Sequence, residues 1–469
     1  MPAQRIARRW AKRTLPLLFS LSIVAFPQAQ PAQTAPPIPA AKPEDVGVSS
    51  PRLDRIGQTV QQYVDQGKVS GVVTLVLRKG QVVQSGAYGK RDIESGSPMA
   101  KDSIFRIASM SKAITSVAVM MLMEEGKLVL GDPVSKFIPQ FKKTTVAVEY
   151  RDATAPPPST AASRPVVVTV PAKREITIHD LLTHTSGVSY GTGPAEEQYK
   201  AANIYSWYFA DKNEPIGPVI ERLAALPFDA QPGEKYIYGF NTDILGVVVE
   251  RASGLSLDEF FKTRIFTPLK MTDTHFFLPP EKKDRLVTVY GYNAAGKLER
   301  QPNPGKGQGE YVDGPRVCFS GGAGLLSTAS DYARFLQMLL NGGELDGARL
   351  LGPKTVELMT SNAIGTKMQE GKFGFGLGFE ITEHVGRAGR PGSVGEFGWG
   401  GAYHTQMWVD PKEELVVVYM TQTLPSGPLD LQPRVRALIY SSILGPPTKK
   451  LPAAPTTKQT HSTASAAVH

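Results

Sequence analysis

Strand patterns stand at the two ends of this chain, and a helical, loop-rich middle separates them. Near the start, Val72-Val73-Thr74-Leu75-Val76-Leu77 and Val82-Val83-Gln84-Ser85-Gly86 flank the turn Lys79-Gly80 and read as a β-hairpin. Far downstream, residues 375–381, 405–409 and 415–421 read as strands again. Helical spacing appears at 50–66 (Leu53, Ile56, Val60, Tyr63), 109–126, 177–183, 218–226, 242–252, 331–341 with an N-cap expected at Ser330, and 432–444. This order predicts an α/β chain of the α+β type. One antiparallel sheet is built from both chain ends and flanked by helices, and an all-α region is inserted between them. The expected boundaries are 45–130 with 318–445 for the sheet domain and 131–317 for the inserted helical and loop-rich domain. Within the insert, residues 142–174 turn to Thr, Ala, Pro and Val and read as an extended, loop-rich excursion.

Outside this body the chain changes character. A basic stretch up to Arg13 precedes an apolar run at 15–26, about the length of a signal-peptide core and short for a membrane span. Residues 1–29 therefore read as an export signal, with Ala25, Ala29 and Ala32 as cleavage candidates. The protein is expected in the periplasm or outside the cell. Contact with a membrane is expected only through an uncleaved N-terminal segment. Residues 30–44 read as linker and 446–469 as a disordered tail. The formal charge of +9 excludes less than it suggests. Five positive charges lie at Arg5, Arg8, Arg9, Lys12 and Arg13, and three at Lys449, Lys450 and Lys458, so the body is close to neutral. A nucleic-acid reader would carry that charge on its folded surface. A single cysteine, Cys318, excludes an internal disulfide and supplies no metal cluster.

Chemistry enters at Ser109-x-x-Lys112, at the head of the 109–126 helix, which Gly126 ends. Residues three apart on a helix are neighbours, so Ser109 Oγ and Lys112 Nζ can meet. A serine hydroxyl becomes a nucleophile when a base takes its proton. The positive end of a helix favours an anion on that oxygen. The same spacing also fits an N-cap serine and a solvated lysine, so other segments must decide.

Two segments bear on it. Tyr238, in Pro232-Gly233-Glu234-Lys235-Tyr236-Ile237-Tyr238, lies just ahead of a helix. Beside Lys112 it could share the serine's proton and pass it to a leaving group; as a plain aromatic it would pack. Gly398-Trp399-Gly400-Gly401-Ala402 heads a strand, where glycines let a substrate approach the backbone. A backbone N–H there, with that of Ser109, would make an oxyanion hole; a tight turn is the alternative.

Together, Ser109-x-x-Lys112, the segment ending at Tyr238 and Trp399-Gly400-Gly401 resemble the serine β-lactamase-like superfamily: class C β-lactamases, low-molecular-weight D,D-peptidases and family VIII carboxylesterases. Residues 178–187, with His184-Thr185-Ser186-Gly187, and 321–328, with Gly321-Gly322-Ala323-Gly324, are similar to it as well. The resemblance covers roughly residues 45–445. It implies a β-lactamase/transpeptidase-like fold, Ser109 as acylated nucleophile, Lys112 as its base partner and Tyr238 as acid/base. It implies oxyanion donors at the N–H groups of Ser109 and Ala402, and no cofactor. The base in relatives with S-x-x-K is disputed, and that question carries over.

Two departures set the expected substrate. Where β-lactamases of this type carry Tyr-x-Asn, Phe240 stands two after Tyr238, and Asn241 comes one residue late. Where they carry Lys-Thr-Gly, this chain has Trp399-Gly400-Gly401. That removes a charge that would hold a substrate carboxylate. Trp399, Gly400, Gly401, Phe240 and Asn241 are the expected substrate contacts. The expected activity is a carboxylesterase on uncharged short or medium acyl esters. The alternatives are a D,D-peptidase, another peptide or amide hydrolase, a weak β-lactamase, or a non-catalytic cell-wall binding module.

Competing motifs carry less. Gly187-Val188-Ser189-Tyr190-Gly191 matches G-x-S-x-G but lacks the strand before and helix after that a nucleophile elbow needs. His179 and His184 are five apart and have no evident third ligand, so no metal site is expected. His404 is expected on an exposed strand.

Overall fold

The computed structural model describes residues 37–150, 166–303 and 305–445. The expected export signal, residues 30–36 of the linker and the tail at 446–469 lie outside the described residues. No helix among those described is long and apolar enough to cross a membrane.

The centre is a seven-stranded antiparallel sheet. Its order is Gly374–Phe375, Glu380–Ile381, Phe397–Gly400, Gln406–Asp410, Leu415–Met420, Gly71–Arg78 and Gln81–Gly89. The two chain ends join where Val73 faces Met420 and Arg78 faces Leu415. Both joining strands are buried along their whole length, which is why they read as continuous apolar runs. Their side chains still alternate between two cores. Val73, Leu75, Leu77, Val416, Val418 and Met420 enter the larger one, with helices Ser111–Glu124 and Ala329–Leu340. Val72, Val76, Val417 and Tyr419 enter the other, under helices Ser50–Asp65 and Leu431–Ser442. Helix Ser111–Glu124 is buried from Ser111 to Leu122 and packs against helix Asn241–Ser253. A helix that is apolar all round is a central one.

The structure departs from the sequence reading at four places. Residues 375–381 are not one strand: Gly376-Leu377-Gly378 break it into two. Gly378 has φ +103°, and a Cβ there would lie 2.3 Å from Ser116 Oγ, so this turn presses on the central helix. The N-cap of helix Ala329–Leu340 is Thr328, which accepts from Asp331 N, and not Ser330. The stretch at 142–174 contains an antiparallel ribbon, Thr145–Tyr150 with Val166–Pro171, whose β-branched residues favour pairing; residues 151–165 lie outside the described residues. His404 is in a turn at φ 67°, partly covered, and not on an exposed strand; burial lowers its pKa.

Candidate active site

Ser109 sits in a one-turn 3-10 helix, Ala108–Met110, that feeds helix Ser111–Glu124. Ala108 takes φ 40°, a left-handed conformation that costs a non-glycine residue about 1–2 kcal/mol. Buried contacts to Val289 and Tyr403 hold it there. Helix geometry brings Lys112 back to the serine, with Nζ 3.4 Å from Ser109 Oγ. The lysine is 2% exposed. Its nitrogen also donates to the Tyr190 hydroxyl at 3.0 Å and to the Gly322 carbonyl at 2.8 Å. Ser109 Oγ, the Tyr190 hydroxyl and the Gly322 carbonyl thus surround the nitrogen.

The Gly322 carbonyl is itself held in place. Thr115 Oγ1 donates to Gly321 O at 2.7 Å, and Ser111 Oγ accepts from Leu325 N at 3.0 Å. Asp243 Oδ1 accepts from Ser320 Oγ at 2.5 Å and from Gly322 N at 3.0 Å. A Cβ on Gly322 would lie 2.4 Å from Asp243 Oδ2, so the turn needs glycine. Burial raises the Asp243 pKa, and the charge of Lys112 opposes the rise.

Tyr238 approaches from the loop before helix Asn241–Ser253. Lys112 Nζ lies over its ring, 4.7 Å from the centroid, and its hydroxyl accepts from Trp399 Nε1 at 3.2 Å. Tyr190 stands edge-on to Tyr238, with centroids 5.7 Å apart. Burial pushes the Tyr190 phenol well above its ordinary value, and nearby Tyr238, Asp243 and Tyr236 push the same way. Behind Tyr238, His184 is buried and its imidazole is held well below its usual pKa by burial and by Lys112.

Strand Phe397–Gly400 brings the last expected segment alongside. Gly401 N donates to Thr405 O at 2.9 Å, closing the turn before strand Gln406–Asp410. A Cβ on Gly401 would sit 2.3 Å from both Ile107 O and Thr405 Oγ1, so glycine lets this turn reach the Ser109 loop. Among the described residues, the N–H groups of Ser109 and Ala402 donate no backbone hydrogen bond. Both residues line one cleft of about 540 Å³, with Tyr190, Trp207, Tyr238, Glu380, Arg390, Trp399, Gly400, Gly401 and Gln406. Ser109, Lys112, Tyr238, Trp399, Gly400, Gly401 and Ala402 are thus brought together.

Phe240 and Asn241 are not in the cleft. Phe240 is buried behind Tyr190, with centroids 4.9 Å apart, and packs on Phe209. Asn241 is fully buried; its Nδ2 donates to Val188 O at 3.1 Å and meets His184 Nδ1 at 3.0 Å, and its Oδ1 accepts from Ser186. The helix that starts at Asn241 turns both side chains away from Tyr238. They brace the His184-Thr185-Ser186 turn instead of meeting substrate. Ser189 is buried in a loop, its Oγ accepting from Gly191 N at 3.0 Å, with no elbow around it. No group of acidic, cysteine or histidine side chains among the described residues is arranged to hold a metal ion. Cys318 is buried, which raises its thiol to about 12.

Sequence reasoning missed Tyr190, Trp207, Glu380, Arg390 and Gln406. Tyr190 had one signal, its place just after His184-Thr185-Ser186-Gly187. Glu380 and Gln406 lie on segments read as strands, where nothing marks them as site residues; Trp207 and Arg390 lie outside any read element, and all four meet only through the fold. Chemically, the assembly offers a hydroxyl beside an amine, a phenol on each side and two unoccupied N–H donors, which are the parts of acyl transfer.

Comparison with known proteins agrees in kind. The family model described as beta-lactamase matches residues 56–441. Protein Rv1367c of Mycobacterium tuberculosis is 35% identical over 395 residues, covering 81% of this chain and 92% of that one. Esterase EstB of Burkholderia gladioli is 29% identical over 426 residues, covering 86% and 98%. The solved structure of EstCE1, described as a hydrolase with promiscuous acyltransferase activity, aligns with TM-score 0.69 at 28% identity, covering 83% and 99%.

Proposed function

Because the chain belongs to the β-lactamase family, we propose that it is a carboxylesterase acting through an acyl-enzyme on Ser109, with uncharged short or medium acyl esters as substrates. Ser109 Oγ attacks the ester carbonyl. Its proton passes to Lys112, which acts in its neutral amine form with the Tyr238 hydroxyl beside it, and from that pair to the departing alkoxide. The N–H groups of Ser109 and Ala402 stabilise the oxyanion. Water then enters and releases the acid by the same route. Export to the periplasm or beyond is part of this proposal.

The observation that carries the substrate class is the wall of the cleft. Tyr190, Trp207, Tyr238 and Trp399 surround Ser109, and the guanidinium that reaches the cleft, Arg390, is ion-paired to Glu380 at 2.6 Å. Such a wall suits an apolar acyl group and offers little to a carboxylate.

The test is turnover of p-nitrophenyl butyrate beside intact mass after exposure to a penicillin, with Ser109→Ala as control. Rapid ester turnover lost in Ser109→Ala, with no lasting penicillin adduct, supports the esterase. A stable penicillin adduct on Ser109 moves the protein to the D,D-peptidase side. No turnover and no adduct leave a non-catalytic binding module.

A further inference from the structure

One corner of the cleft is polar. Among the cleft-lining residues described, Arg390 is the one cation and Glu380 the one anion, and Gln406 lies with them beside Trp399. Glu380 is fixed by the sheet: its strand, Glu380–Ile381, pairs with Phe397–Gly400, placing it opposite Gly398 and next to Trp399. Arg390 comes from the loop between those two strands. Its Nη2 lies 2.6 Å from Glu380 Oε1 and 3.4 Å from Thr382 Oγ1.

Arg390 has a second source of position. Its guanidinium stacks over the Phe373 ring, 4.5 Å from the centroid. A second carboxylate, Glu396, is 3.6 Å away, but it is buried and already bonded to Arg436 and Tyr440. Glu380 is therefore the group that occupies the guanidinium on the cleft side. The Arg390 and Glu380 side chains are 30% and 16% exposed, so the pair is partly screened from water. A guanidinium suits a carboxylate, and in this cleft Glu380 already holds it through Nη2.

We infer that Glu380 makes the cleft selective for neutral acyl groups by holding Arg390, and that releasing Arg390 turns this corner into a carboxylate-binding subsite. The inference rests on the esterase reading for its substrates. A substrate carboxylate entering the corner meets Glu380 as a like charge, and the guanidinium nitrogen that faces Glu380, Nη2, is already engaged. With Glu380 neutral, stacking on Phe373 keeps the guanidinium near the same place, now open to an anion.

The test uses two esters of equal chain length, p-nitrophenyl butyrate and mono-p-nitrophenyl succinate, which differ by a terminal carboxylate. The readout is the ratio of their kcat/KM values. The intact protein favours butyrate. In Glu380→Gln the ratio moves toward succinate by about tenfold or more, the scale of a charge-assisted hydrogen bond. Adding Arg390→Gln abolishes the shift. Arg390→Gln alone, which bares Glu380, moves the ratio further toward butyrate and serves if Glu380→Gln does not fold. A ratio unchanged in both single variants, or a shift that survives loss of Arg390, overturns the inference. If the intact protein hydrolyses neither ester, the esterase reading falls by itself. The corner is then read from binding of butylboronic acid against 4-boronobutanoic acid, followed by tryptophan fluorescence. The same shift in preference is expected, and its absence overturns the inference.

Discussion

Lys112 Nζ donates a hydrogen bond to the Tyr190 hydroxyl at 3.0 Å but meets Tyr238 through its ring face, 4.7 Å from the centroid. The two phenols therefore do different work. Tyr190 accepts from the lysine nitrogen and fixes it; Tyr238 turns its ring face to that nitrogen and leaves its hydroxyl toward Trp399 and the cleft. Tyr238→Phe keeps the ring and removes the hydroxyl, so kcat on p-nitrophenyl butyrate should fall about 10²–10⁴-fold, with the melting temperature little changed. Tyr190→Phe leaves the buried nitrogen short of an acceptor, and should cost about 1–3 kcal/mol of stability together with a smaller loss of kcat. Full activity in Tyr238→Phe would move the acid/base role to Tyr190.

Gly401 is where two segments touch without room for a side chain. Its missing Cβ would lie 2.3 Å from Ile107 O, a backbone atom that cannot swing aside. Gly401→Ala should push Ala402 N away from Ser109 and lower kcat about 10²-fold with a small change in KM, the pattern of a lost oxyanion donor. Steady-state kinetics on one ester checks it.

Asp243 acts at one remove. It holds Gly322 by its N–H, and the carbonyl of Gly322 holds Lys112. Asp243→Ala would leave the Ser320 O–H and the Gly322 N–H without an acceptor in the interior, at a cost of about 1–3 kcal/mol. Because the turn that positions Lys112 loosens, kcat should fall more than KM rises. Denaturant melts read with kinetics separate the two effects.

His184 gives the fold an acid sensitivity. Burial, and then the charge of Lys112, hold its imidazole well below the ordinary value. Such a group takes its proton in the unfolded chain first, as pH drops below about 6.5. Its contribution to stability is therefore complete above that pH and lost on acidification. The difference in melting temperature between the intact protein and His184→Gln should narrow from about pH 7.5 to about pH 5.5. A constant difference would mean that the imidazole titrates alike in the folded and unfolded chain.

The parts of this fold that were legible in the sequence are those set by local periodicity. The buried strands Gly71–Arg78 and Leu415–Met420 announce themselves as apolar runs, and Ser109 and Lys112 meet because a helix fixes their spacing. What was not legible depends on long-range packing. Tyr190 reaches Lys112 across 78 residues of sequence, and its place just after His184-Thr185-Ser186-Gly187 does not say which side chain it meets. Glu380 and Arg390 meet because the loop between strands Glu380–Ile381 and Phe397–Gly400 folds back on the first of them, and no periodicity marks that loop. Asn241 stands one residue from the position a Tyr-x-Asn motif would give it, and the turn of a starting helix carries it from the cleft to His184. Thr328 keeps extended backbone angles and caps the helix, whereas Ser330, two residues on, already lies inside it.

The measurement that bears most directly on the central claim is a peptide map of the protein after reaction with a fluorophosphonate, read beside intact mass for the native chain, Ser109→Ala and Ser189→Ala. The account predicts a single adduct on Ser109, present in Ser189→Ala and absent in Ser109→Ala. An adduct on Ser189, or labelling that persists in Ser109→Ala, would contradict it.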